Sequence, residues 1–98
     1  MSGILEGINV LDLSRILAGP YTAQMLSDLG ANVTKIEAPW GDDTRGWGPP
    51  FATDFDGERV AAYFLCCNRG KSILQMNLKE EKERLMELIQ WADVIVEN

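Results

Sequence analysis

Ninety-eight residues, 46% of them apolar, are enough for one domain with a modest core and too few for two. Nine basic against fifteen acidic residues leave a formal net charge of −6, which argues against a nucleic-acid or anionic-membrane partner. With no histidine, a Ser-His-Asp triad cannot be built within the chain and the adjacent Cys66 and Cys67 have no partner set for a metal, so no metal is expected.

"INVLDL" (8–13) is β-branched and apolar and reads as a strand. It runs into "SRILAGP", a turn closing on Gly19-Pro20, where a proline at the first helical position is already set for a helix. Tyr21, Met25, Leu26 and Leu29 then recur at helical spacing, and Gly30 stands where a C-terminal cap belongs. "ANVTKIEA" (31–38) reads as the next strand, which completes a parallel βαβ unit. Asn32-Val33-Thr34 matches a glycosylation sequon, but its place inside a strand favours a structural role. The glycines and prolines of "GDDTRGWGPPF" (41–51) bar helix and central strand, so the stretch is a loop whose Trp47 and Phe51 require it to fold back on something. Asp42 and Asp43 suit the shaping of that turn.

Further on, "VAAYFLCCN" (60–68) fits a short helix and a buried strand equally, and "KSILQMNL" (71–78) looks like a strand. The clearest element is "KEEKERLMELIQWA" (79–92), where Leu85, Leu88, Ile89 and Ala92 make an apolar stripe. "DVIVEN" closes a second βαβ unit. The expected fold is therefore α/β, with strands at 8–13, 32–37, 72–77 and 93–96 parallel in one sheet flanked by helices. A parallel strand is normally covered on both faces, so its arrival at Asn98 leads us to expect the truncated start of a larger fold. No apolar run is long enough to span a bilayer, the N-terminus lacks a secretory pattern, and the cysteines make no disulfide framework; a reducing cytoplasm is the expected setting.

Parallel sheets bind ligands beyond the carboxyl ends of their strands, where strand order reverses. Ser14 to Gly19 is the first such place, and a helix start there suits a phosphate, although every βα turn shares the pattern. A dinucleotide fingerprint is absent, since the turn holds only Gly19, while Glu37 occupies the position of a ribose-binding acid. "NRGKS" (68–72) resembles the tail of a P-loop, but Leu65 stands where the leading glycine belongs. Asp12 with Ser14, Asp42 with Asp43, and Cys66 with Cys67 read more readily as turn-shaping and core groups than as nucleophiles. Arg15, Arg45, Arg69, Lys71 and Lys79 fall in or beside loops and element ends, where a localised anion can be met.

"LAGP", "LGA.V.K.E.P", "GDDTR.WGPPF", "NRGK" and "ADVIVEN" occur in order along essentially the whole chain. This ordered set resembles the N-terminal part of the class III CoA-transferases, the family that includes formyl-CoA transferase, carnitine CoA-transferase and the α-methylacyl-CoA racemases. The resemblance implies a Rossmann-like CoA-binding domain, of which residues 1–98 are the N-terminal portion, a second smaller domain, and an interlocked homodimer. It implies acyl-CoA and a carboxylic acid as substrates, and a nucleophilic aspartate downstream of Asn98, so that this stretch alone is inactive. The family's CoA contacts fall here on Ile16, Leu17, Ala18, Ala38, Leu78, Lys79 and Asn98. Formyl-CoA transferases carry Gln at the position of Leu17, which argues against formate or oxalate, and Arg at that of Ala38, a lost cation for which Lys79 or Arg15 can compensate. The alternatives are a racemase on the same scaffold and a non-catalytic nucleotide-binding or assembly module. The longer 41–51 segment favours transferase over racemase, and is expected to cover the edge of the CoA domain and to pack on the rest of the enzyme or on a partner subunit.

Overall fold

A computed structural model describes residues 3–98. In chain order the elements are β1 (Asn9–Asp12), α1 (Ala18–Asp28), β2 (Asn32–Glu37), a 3-10 turn at Asp43–Gly46, β3 (Phe51–Thr53), β4 (Arg59–Ala61), α2 (Ala62–Cys66), β5 (Ser72–Gln75), α3 (Lys82–Trp91) and β6 (Val94–Val96).

Val10 and Leu11 are sequence neighbours, both fully buried, yet they belong to separate cores, because successive strand residues point to opposite faces. Val10 packs with Ala23, Ala31 and Val33, joined by Leu26 of α1. Leu11 packs with Ile36 and Met76 beneath Leu85, Leu88, Ile89 and Ala92, the stripe expected for the last helix. The two long helices therefore cover opposite faces of the sheet.

β1, β2, β5 and β6 form one four-stranded sheet in the order β5-β2-β1-β6, and every pair is parallel, as expected. After β5 the chain crosses back over β1 to lay down β6 on its far side, so strand order reverses between β1 and β6. The expected α/β fold with flanking helices holds.

Element ends depart from the expectations for local reasons. α1 begins at Ala18 rather than Pro20. Ile16 turns the chain with φ 75°, and Gly19 then passes so close to Ser14 that a Cβ there would overlap the serine side chain. Pro20 sits in the first turn, where a missing N–H leaves no bond unmade. At the other end, Gly30 adopts φ 104°, with its N–H on Ser27 O and that of Ala31 on Leu26 O, the paired closure of a Schellman motif. α3 starts at Lys82 because Asn77 first organises its own turn: its carbonyl accepts from the N–H groups of Glu80 and Glu81, and the Glu81 carboxylate accepts from Asn77 N–H at 2.8 Å.

The segment expected as a loop from 41 to 51 runs at Phe51 into β3, which pairs antiparallel with β4, and 60–68 contains both candidate structures in succession, strand then helix. "GDDTRGWGPPF" folds back on α2: the Arg45 guanidinium lies 4.0 Å from the Phe64 ring centroid, and Trp47 meets Tyr63 edge-on at 5.3 Å. Among the described residues no helix is long and apolar enough to cross a membrane.

Candidate functional site

The carboxyl ends of three strands converge on one groove. Leu13 and Arg15 follow β1, Ala38, Pro39 and Trp40 follow β2, and Met76 through Lys79 follow β5; with Ile36 they line a space of about 420 Å³. The floor is apolar, formed by Leu13, Ile36 and Met76, while the exposed cations Arg15 and Lys79 stand at the lip. No carboxylate lines it. An apolar floor with cationic edges accommodates a ligand that is flat and apolar at one end and anionic at the other.

Of the residues named from the sequence, Ala38, Leu78 and Lys79 line this groove. Ile16, Leu17 and Ala18 do not; they lie exposed in the adjoining turn that leads into α1. The N-cap of α1, Leu17, makes no side-chain cap bond, so the first N–H groups of the helix have no intrahelical or capping acceptor. Ile16 holds a left-handed φ of 75°, uncommon for a β-branched residue and costing on the order of 1–3 kcal/mol.

Asn98 stands at the same end of the sheet, across the switch point from β1. Its carboxamide engages the backbone of one residue twice: Oδ1 accepts from Arg15 N–H at 3.1 Å and Nδ2 donates to Arg15 C=O at 2.9 Å. It thus continues the β1–β6 ladder by a side chain and fixes the residue before the strained Ile16.

Behind the groove run two buried ion pairs and a third that is partly exposed on its arginine side. Lys35 reaches Asp42 at 3.1 Å and donates to Ser14 C=O at 3.1 Å; Lys71 reaches Asp12 at 2.7 Å; Arg45 forks onto Glu37 at 2.8–3.1 Å. Asp12 also accepts from the Ser14 N–H at 2.9 Å and from the Ser14 hydroxyl. Glu37 is therefore spent on Arg45 rather than free for a ribose, and Lys71 of "NRGKS" points inward rather than at a phosphate site. Burial pushes the Asp42 carboxyl up, but the hydroxyl and N–H of Thr44 and the Lys35 ammonium outweigh it and hold the group below its ordinary value. Burial pulls the Lys71 ammonium below its ordinary value, against the Asp12 carboxylate. Cys67 is buried with its Sγ 3.5 Å from that of Cys66; desolvation first, and then Cys66, push its thiol up to about 11, the behaviour of a core group rather than a nucleophile.

Trp40, Pro39 and Asn77 were not singled out from the sequence. The signal was available: each lies within three residues of the carboxyl end of a parallel strand, and in this architecture such residues face the ligand side.

The chain is similar to known proteins along nearly its full length. The family model of CoA-transferase family III matches residues 5–98. Succinate–glutarate CoA-transferase of Agrobacterium fabrum is 50% identical over 98 residues, covering 96% of this chain and 24% of its own length. Succinyl-CoA:mesaconate CoA-transferase of Haloarcula marismortui is 47% identical over 98 residues, covering 98% of this chain and 24% of its own. The crystal structure of a CAIB/BAIF family protein from Brucella suis superposes with a TM-score of 0.94 at 51% identity, over 100% of this chain and 26% of that one. The chain thus spans about a quarter of the length of the relatives it matches.

Proposed function

The chain belongs to CoA-transferase family III, and on that premise we propose that residues 1–98 form the first portion of the CoA-binding domain of an acyl-CoA:carboxylate CoA-transferase. The observation that carries this is the groove at the ends of β1, β2 and β5, with its apolar floor and its cations Arg15 and Lys79. The nucleotide end of CoA enters there. Its phosphates meet Lys79, Arg15 and the N–H groups at the start of α1 around Ile16, Leu17 and Ala18, where the helix dipole favours negative charge. Ala38 and Leu78 border the base without projecting charge, and Asn98 holds the Arg15 backbone in place.

CoA transfer through a carboxylate requires that group at the thioester. The groove is lined by none, and Asp12, Asp42 and Glu37 are committed to Lys71, Lys35 and Arg45. This supports a nucleophilic aspartate downstream of Asn98, contributed by a second portion of the enzyme. The two relatives described above are named for succinate, glutarate and mesaconate, and we extend that class, small dicarboxylic acids, to the whole protein's donor and acceptor. The interlocked homodimer belongs to the same proposal and is supported by exposed Trp40, Phe55 and Trp91.

The test is a titration of the ¹⁵N-labelled 98-residue chain with CoA, followed by amide shifts. Weak binding centred on 15–18, 38–40 and 77–79, without thioester turnover by the chain, is expected. Shifts clustered elsewhere, or none at millimolar CoA, would overturn the assignment.

A further inference from the structure

The lysine of "NRGKS" is set by its surroundings. Gly70 turns the chain with φ 77° between α2 and β5, which sends the next side chain inward. The Lys71 side chain is 0% exposed. An ammonium has three protons to place, and each has an acceptor: Asp12 Oδ2 at 2.7 Å, Pro20 O at 3.0 Å and Asn68 Oδ1 at 3.0 Å. Asn68 is itself moored, donating to Phe64 O at 2.8 Å. With no proton free and no surface, this ammonium cannot meet a ligand.

What it meets is the backbone frame of the turn. Asp12 ends β1, and its other oxygen holds the N–H and hydroxyl of Ser14. Pro20 lies in the first turn of α1, the turn that lacks a side-chain cap of its own. One ammonium therefore ties the last residue of β1, the start of α1 and the turn that follows α2 together. Between its two anchors, Asp12 and Pro20, lie Arg15 and the left-handed Ile16. A φ of that kind persists only where the surroundings over-determine it. Asn98 supplies one constraint and Lys71 the other.

A buried ion pair is a poor source of net stability, since apolar replacements of similar volume are often as stable or more so. Its value here lies in geometry. We propose that Lys71 is a positioning residue for CoA binding: acting through Asp12 and the Pro20 carbonyl, it fixes the turn from Arg15 to Ala18 in its binding conformation without touching CoA. This rests on the assignment of that turn to CoA.

The experiment compares the wild-type chain with K71R and with D12N/K71M, which removes both charges and so leaves neither stranded in the core. Thermal melting and the amide spectra of β2 and β5 report folding, and CoA titration reports affinity. A folded D12N/K71M chain is expected to show displaced Ser14 to Gly19 amides and roughly tenfold weaker CoA binding or worse, as for misplacement of a positioning group. K71R, which keeps the charge but cannot serve all three acceptors with a planar fork, is expected to fall between the two. Wild-type affinity in both folded variants overturns the inference. If the double variant does not fold, K71R decides: a folded K71R chain with wild-type CoA affinity and unmoved Ser14 to Gly19 amides overturns the inference. Absence of CoA binding by the wild-type chain is a separate result that removes the function reading, and this inference with it, before any variant is compared.

Discussion

Charge at this site is divided between residues that face solvent and residues that face each other, and the two kinds respond differently to substitution. Lys79 is exposed at the groove lip. Lys79→Glu should therefore leave the fold intact and weaken CoA binding by on the order of 1.5–3 kcal/mol if the ammonium meets a phosphate. Calorimetry on the two chains measures it, and equal affinities would remove Lys79 from the site. Asp42 is the opposite case, with its carboxylate against Lys35 and Thr44. Its folded value is lowered, so its contribution to stability is complete above the unfolded carboxylate value and is lost as pH falls through the folded one. Urea unfolding from neutrality to about pH 2 should accordingly show a smaller fall in stability for Asp42→Asn than for wild type. The variant should also be less stable at neutrality by about 3–5 kcal/mol, because Lys35 is left buried and unpaired. A variant with the wild-type acid limb would show that Asp42 does not carry this dependence.

Among elements, α3 depends most directly on tertiary packing. Not one of its residues is fully buried, and its attachment rests on Leu85, Leu88 and Ile89 lying over Leu11, Ile36 and Met76. Leu88→Ala should cost about 1–3 kcal/mol, below the full range for a core leucine because the site is half open. Hydrogen exchange should show α3 protection falling more than that of β1, and uniform loss would contradict a locally held helix. α3 was also the most legible element: its stripe spans about two turns, long enough for the 3.6-residue period to stand out. The strands were legible for the same kind of reason, being β-branched runs bounded by turn residues. The hairpin was not, because Phe51–Thr53 and Arg59–Ala61 are too short to show an alternation. The candidate site divides similarly. The groove ends at Ala38, Leu78 and Lys79 came from family resemblance, and their convergence follows from strand order. The pairings Lys71 with Asp12 and Lys35 with Asp42 join residues distant in sequence or set across a turn, and no local pattern announces them.

Taken whole, the molecule balances repulsion against exposed apolar surface. A net charge of −6 on this size of chain opposes contact between copies. Yet Trp40 is 78% exposed, Phe55 lies at a hairpin tip wholly in solvent, and Trp91, Val94 and Ile95 are exposed at and beside β6. β6 is an edge strand of the sheet, with one row of backbone donors and acceptors unpaired by any described strand. Apolar side chains beside an open edge favour association, and the acidic surface is the term that resists it. The chain should therefore self-associate with a strength that rises with salt, since at roughly 0.15 M the Debye length is about 8 Å and repulsion between surface charges is largely screened, while apolar burial is not weakened. Sedimentation equilibrium at low and moderate ionic strength measures this. A chain that remains monomeric at high concentration in both, and binds no hydrophobic dye, would show that these side chains cost too little in water to drive assembly. Association that weakens with salt would identify ionic contacts, such as the exposed Arg69 and Asp28 pair redirected between copies, as the driving term instead.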